Sequence, residues 1–310
     1  MSTRILVGIS GGRDSMCLLY GLLELGYQKL ILCHLNHALR GMESKVDEYF
    51  VVCQARRFGL LLRLEQVQTR KFALDQKLCV EMAGRELRYA FFFRVAQETG
   101  YTTLLLAHHA GDQIETCWLN FLRGTGVAGL AGMRMDTTRN VEEKNGSSLR
   151  VVRPLLKISP SEIVEFSRER NIPFRVDATN WNTNPVRNRI RHKLLPFLDR
   201  TFGVYYRKSI LRCAEILADE EDWMKEVSEG FPYKARLAYK ELYPFPRALQ
   251  RRILRSWLIR QRVPEIGFKE VECVRSLITP PISTSSKVSL PAGICARRKL
   301  GVLFLEKNEI

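Results

Sequence analysis

Ile5-Leu6-Val7-Gly8-Ile9-Ser10-Gly11-Gly12-Arg13-Asp14-Ser15 is the stretch from which the fold can be read. Its opening apolar run predicts a short strand buried on both faces, because a strand covered by helices on each side carries no polar alternation. The run stops at Ser-Gly-Gly-x-Asp-Ser, and a helical pattern begins. Adjacent glycines allow a tight turn with no Cβ between backbone and ligand, and the N–H groups converging at a helix start favour an anion. Ser10 and Ser15 add hydroxyls. Ser10, Gly11, Gly12, Arg13, Asp14 and Ser15 therefore read as a phosphate cradle, without the lysine of the common GxxxxGK[ST] loop. The plain alternative is a strand-to-helix turn capped by Asp14 or Ser15. Its place after the first strand, where α/β folds carry nucleotide sites, favours the cradle.

Outward from this stretch, strand and helix patterns alternate. Residues 16–25 have helical spacing and stop at Gly26. Strands are predicted over 29–33, 60–67, 103–107 and 149–152, and helices over 43–58, within 74–100 and from about 110. Ser159-Pro160-Ser161-Glu162 is a capping box opening a helix to about Arg170. The polar stretch 136–148 reads as a surface hairpin or a disordered excursion, and Phe174 to Asn180 as a short extended piece and a turn. These elements predict an α/β fold over residues 1–202, a doubly wound, mostly parallel sheet with helices on both faces. From Gly203 the composition shifts to long helical patterns over 205–229 and 245–262. A β-like ending around Pro291-Ala292-Gly293 closes a second, mainly helical domain, 203–310, with a terminal hairpin.

A net charge of +16 and a pI near 9.7 point to a polyanionic partner, with nucleic acid the usual one. Arg187, Arg189, Arg191 and Lys193 crowd one short segment, and on a helix Arg187 and Arg191 make one phosphate-facing row. Glu81, Arg85 and Arg88 share a helix face, where Glu81 could orient Arg85 towards phosphate or the trio could form an exposed ion-pair ladder. Polar groups at strand ends supply further candidates: Asn36, His37 and Arg40 after the second strand, His109 after the fourth, and Arg123 at the glycine-rich loop beyond. Asp112 and Glu115, three apart at a helix start, project two carboxylates from one side. Carboxylates there are also simply good helix chemistry. The eight cysteines are scattered singly with no C-x-x-C, so neither a disulfide framework nor a cysteine zinc site is indicated. No window approaches a membrane span and no signal-peptide core follows Met1, so a cytoplasmic location is expected.

Ser10 to Ser15 resembles the signature of the N-type ATP pyrophosphatases, the PP-loop family, which implies an adenine nucleotide alpha-hydrolase-like sheet and cleavage of ATP between the α and β phosphates. Three further blocks sharpen the likeness: His34 to Arg40; Ala107-His108-His109-x-x-Asp112-Gln113-x-Glu115-Thr116 with Leu122-Arg123-Gly124; and Arg153-Pro154-Leu155 with Asp177-x-x-Asn180 and Arg187-Asn188-x-Ile190-Arg191. Together they resemble the bacterial tRNA(Ile)-lysidine synthetases. The resemblance implies an ATP-dependent ligase that binds tRNA(Ile) with a CAU anticodon, adenylates the C2 oxygen of its wobble cytidine and joins free L-lysine through its ε-amine. ATP with Mg2+ would be the co-substrate, and Asp112, sharing the role with Glu115, the base and amine anchor. A homodimer is kept open. Gly111 stands where the pattern leads one to expect an acidic or amide residue. The alternative is a PP-loop tRNA thiolase acting on an anticodon-loop base, for which the scattered cysteines are poorly suited.

Overall fold

Six strands form one sheet: β1 (Ile5–Gly8), β2 (Leu30–Asn36), β3 (Leu61–Gln66), β4 (Thr103–Leu105), β5 (Asp136–Asn140) and β6 (Ser148–Val152), in the order β3-β2-β1-β4-β6-β5. They are seen in a computed structural model that describes residues 3–140, 148–176, 186–278 and 286–307. β1 lies inside, with Leu6 opposite Ile31 of β2 and Leu104 of β4, both parallel. Only β5, at one edge, runs antiparallel.

The helices of this region are α1 (Arg13–Glu24), α2 (Met42–Arg57), α3 (Thr69–Asp75), α4 (Val80–Thr99), α5 (Ala110–Leu122), α6 (Val127–Leu130), α7 (Pro160–Glu169), α8 (Val186–Arg189) and α9 (Leu195–Phe202). A π-helical turn, Ile190–Leu194, joins the last two. Alternate residues of β1 point to opposite faces. Ile5 and Val7 pack with Leu30, Leu32, Met16 and Leu19 of α1 and Ile163 of α7. Leu6 packs with Ile31, Cys33, Leu104 and the Phe91, Phe92 and Val95 side chains of α4. Burying each such leucine is worth roughly 1.5–3 kcal/mol, and the carboxyl ends of the central strands are thereby fixed beside the cradle.

Several boundaries depart from the sequence reading. α1 begins at Arg13, directly on the glycines, and β2 runs on to Asn36. The 74–100 region breaks into α3 and α4, with Lys77 at φ 54, a value that ends a helix. The hairpin expected within 136–148 instead pairs β5 with β6, the strand expected at 149–152, and its residues 141–147 lie outside those described. The same holds for the Asp177-x-x-Asn180 block.

α10 (Tyr205–Glu229) follows Gly203, where the composition changes, and the chain divides into compact units of residues 1–218 and 219–310 within it. The second unit contains β7 (Leu237–Ala238), α11 (Tyr239–Leu242), α12 (Arg247–Arg260), α13 (Phe268–Ser276), β8 (Lys287–Leu290), β9 (Ile294–Lys299) and β10 (Val302–Lys307). Trp257 is its fully buried centre, packed with Leu242, Leu254, Val274 and Leu303, and its indole N–H donates to Lys234 O at 3.0 Å. The unit is mostly helical, but the expected closing hairpin, β9 and β10, is the middle of a four-stranded antiparallel sheet, β7-β10-β9-β8. β7 and β8 are too short to announce themselves by alternation. Among the described residues, no helix is long and apolar enough to cross a membrane.

Candidate nucleotide and amine site

The turn between β1 and α1 is built as a closed set of small groups. Gly11 has φ +83, and a Cβ there would sit 3.3 Å from Phe50 and 3.4 Å from Val51. Ser10 Oγ accepts from Gly12 N–H at 3.2 Å and lies 3.1 Å from Ser15 Oγ, which donates to Gly12 O at 2.9 Å. The Arg13 guanidinium lies over the Phe174 ring, 4.5 Å from its centre. Gly11 O accepts from Arg175 N–H at 2.9 Å, which ties the loop to the segment after α7. Asp14, in the first turn of α1, is held above the usual carboxylate range by burial, an effect opposed by His109 and reinforced by Asp112.

Across the carboxyl edge of the sheet, α5 opens on His109. Its Nδ1 accepts from Gly111 N–H (3.0 Å) and Asp112 N–H (3.3 Å), while Asp112 Oδ2 accepts from His109 N–H at 3.0 Å, a reciprocal cap. That leaves Nε2 to carry the ring proton, and it lies 3.7 Å from both Asp14 Oδ2 and Asp112 Oδ2. The cap also explains Gly111. A Cβ there would lie 2.8 Å from the His109 ring and 3.0 Å from Pro160.

Asp112 and Glu115 do share one side of α5, and Arg187 and Arg191 come to them. Arg187 Nε donates to Glu115 Oε2 at 2.9 Å, and its Nη2 lies 3.4 Å from Asp112 Oδ1. Arg191 Nη2 donates to Glu115 Oε2 at 2.9 Å and lies 3.5 Å from Asp112 Oδ1. The expected outward phosphate row is thus an inward row bound to carboxylates, because two anions on α5 outcompete solvent for it. Burial pushes Asp112 up, but His109, Arg187 and the backbone cap outweigh it and hold the carboxyl below its ordinary range.

One cavity of about 680 Å3 runs from the cradle residues Ser10, Asp14 and Ser15 past Asp112 and His108 to the end of β2. Its size suits a nucleotide. His37 and Arg40 line it, with Arg88 and Arg70. His37 Nδ1 is 3.0 Å from Thr69 Oγ1, and burial, then Arg88, pushes the imidazole down to about 4. Arg88 lines the cavity, and burial, then the neighbouring Arg85 charge, lowers its basicity. Asn36 also borders the cavity but is spent internally: its Nδ2 donates to Glu48 at 2.7 Å and its Oδ1 accepts from Ala38 N–H at 2.9 Å. Arg40 Nη2 donates to the buried Asp47 at 2.7 Å.

Two expected contacts fall elsewhere. Arg85 lies over the Tyr89 ring, 5.2 Å from its centre, and no ion pair joins it to Glu81 among the described residues. Arg123 caps the far end of α5, roughly 16 Å along the helix from Asp112. Sequence reasoning missed Arg70 and Asp47. Asp47 also takes Arg175 Nε at 3.1 Å, tying the segment after β2 to the one that braces the cradle. Within α2 it has only the pattern of an ordinary surface acid. Among the described residues no group of three or more His, Cys, Asp or Glu side chains could hold a metal by itself.

The fold and this geometry find counterparts in known proteins. A PP-loop domain family matches residues 1–198, and a TilS substrate binding domain family matches residues 237–304. The chain is 35% identical over 276 residues to a tRNA(Ile)-lysidine synthase of Dehalococcoides mccartyi, covering 86% of this chain and 58% of that protein. It is 34% identical to the tRNA(Ile)-lysidine synthase of Geobacter sulfurreducens, covering 95% of this chain and 63% of that one. It therefore spans about three fifths of the length of these relatives. Among solved structures, the U34-tRNA thiolase NcsA of Methanococcus maripaludis, with its [4Fe-4S] cluster, superposes with a TM-score of 0.53 at 18% identity, over 70% of this chain and 72% of that one, a likeness of fold. A cradle at the head of a parallel sheet, matched by the family over residues 1–198, places the chain in the PP-loop family, with tRNA(Ile)-lysidine synthases among its relatives.

Proposed function

We propose that the protein is an ATP-dependent ligase that makes lysidine in tRNA(Ile). The observation that carries this reading is that Asp14 of the cradle and Asp112 of α5 stand 3.7 Å from the same His109 nitrogen, on the wall of one cavity of nucleotide size. The glycine-serine turn and the Asp112 carboxylate therefore face a common volume, the arrangement that a phosphate site beside an amine site needs.

In the first step the C2 oxygen of the wobble cytidine attacks the α-phosphorus of ATP, and pyrophosphate leaves. Ser10 to Ser15 would cradle the phosphates with backbone N–H groups and hydroxyls. Mg2+ would enter with ATP, because it prefers phosphate oxygens with one or two carboxylates, and Asp14 supplies such an oxygen. Arg70 and Arg88 would face the nucleotide's anionic part. In the second step the ε-nitrogen of lysine attacks C2, and AMP leaves with the oxygen. The lysine ammonium must first lose a proton. Asp112, held ionised by His109, Arg187 and its backbone cap, suits the anchor role better than that of base. Glu115 holds Arg187 and Arg191 in place beside them.

The thiolase alternative meets a chemical obstacle. Cys17, Cys33, Cys117 and Cys295 are buried, with desolvation pushing Cys17 and Cys117 up to about 11 and Cys33 to about 12, and the more exposed Cys53, Cys79, Cys213 and Cys273 are not among the residues lining the cavity. The deciding experiment supplies ATP, radiolabelled lysine and an unmodified tRNA(Ile) transcript. Label in the RNA, with AMP and pyrophosphate released in equal amount, is expected. RNA without label after complete turnover of ATP would sink the reading.

A further inference from the structure

We propose that the outward face of the segment from α8 to α9 is a docking groove for an unpaired RNA strand, laid beside the base that reacts. Residues two apart on a helix point to roughly opposite sides. Arg187 and Arg191 turn inward to Asp112 and Glu115. Arg189 and Lys193 are exposed on the other side, and neither has an ion-pair partner among the described residues.

Between them lies a groove of about 530 Å3, with Leu122, Val186, Leu194 and Phe197 as its floor and walls. Phe197 is 52% exposed and Leu122 59%. Arg123, next to Leu122, and Arg200, one turn beyond Phe197, are exposed and equally unpaired. Neighbouring Arg207, by contrast, is paired with Asp199. Among the described residues, no carboxylate lines the groove.

An apolar floor with an aromatic ring and a rim of unneutralised cations matches one polymer in particular. Unpaired bases stack on the ring while the phosphates meet the cations. A duplex hides its bases and would use only the rim. A second copy of the chain fits poorly, since a two-fold contact would bring like charges face to face. The same helix carries the inward arginines, so a strand in the groove passes within about one helix diameter, roughly 10 Å, of Asp112. This assignment rests on the proposed function only in taking RNA as the polymer.

The test uses the full chain and a fluorescent single-stranded oligoribonucleotide of anticodon-loop length, compared with the same sequence as a duplex. The protein should prefer the single strand. Replacing both cations, Arg189→Gln with Lys193→Gln, should weaken single-strand binding about tenfold and reduce the slope of log affinity against log salt by about 1.4. Phe197→Ala should weaken it about fivefold and leave that slope unchanged. ATP affinity and melting temperature should not move in either variant, since these side chains face away from the cavity. Unchanged single-strand affinity in both variants overturns the proposal. So does a concentration-dependent dimer in sedimentation that Phe197→Ala dissolves, which would make the groove a contact between copies. Loss of single-strand binding in a protein that never incorporates lysine would leave the groove standing and remove the function proposed above.

Discussion

Arg187 donates its Nε–H to Glu115 Oε2 at 2.9 Å, joining two side chains 72 positions apart in the chain. Glu115 is nearly enclosed, with 4% of its side chain exposed, and Arg191 binds its other oxygen. Neutralising one partner of such a buried group leaves the other charges desolvated and uncompensated. Glu115→Gln should therefore cost about 3 kcal/mol of stability in urea unfolding. A loss below about 1 kcal/mol would show that water already screens the cluster.

Asp112→Asn keeps the shape of α5 but removes the charge proposed to anchor the lysine amine. Lysine incorporation should fall by at least about a hundredfold, the scale of a group acting directly on a transferred proton or its carrier. Binding of tRNA(Ile), followed by filter retention, should stay within about twofold, because the RNA is held by cations elsewhere. Full activity in this variant would remove Asp112 from the mechanism.

Two imidazoles set a pH dependence of stability. Burial pushes both His37 and His108 down to about 4, from an unfolded value near 6.5. Between those values the unfolded chain binds more protons than the folded one, so stability rises with pH across the window from about 4 to about 6.5. Each histidine adds a slope of up to about 1.4 kcal/mol per pH unit there. In urea melts at a series of pH values, His37→Asn should flatten this limb. An unaltered limb would place His37 in water.

Glu272 works the opposite end of the scale in the second unit. Hydrogen bonds from Arg275, then Arg251, draw it down to about 2. Its stabilisation is complete above the unfolded value near 4.3 and is lost as pH falls from there through about 2. Glu272→Gln should make acid unfolding of the second unit less steep in that range, read by the fluorescence of Trp257. The same acid limb in both proteins would deny the pair any net role.

Gly11→Ala puts a Cβ where φ is +83 and where Phe50 stands 3.3 Å away. Left-handed backbone costs a non-glycine residue about 1–2 kcal/mol. The melting temperature should drop by a few degrees, and calorimetric ATP affinity should fall by about tenfold as the cradle opens. Undiminished ATP binding would mean that the phosphates lie elsewhere.

Much of the site can be read along the chain because it is local. The strand–glycine–helix passage at β1, the capping box at Ser159 and the shared side of Asp112 and Glu115 all depend on residues within one or two turns of each other. Periodicity and cap chemistry act over that range. The two-faced sheet follows too, since the continuous apolar run of β1 demands cover on both sides.

What required the tertiary structure was every choice of partner at long range. A cluster of arginines looks the same in sequence whether it meets phosphate or carboxylate. Arg187 and Arg191 are committed inward and Arg189 and Lys193 left outward by which side of a helix packs on α5. Asp47, seven positions from Arg40, became a buried clamp only when the distant segment carrying Arg175 converged on it. Local patterns set the elements and the cradle, because backbone geometry and side-chain period act over a few residues. Charge pairing and burial were settled by packing, because Coulomb energy depends on distance through space and on the water excluded, neither of which is written in chain order.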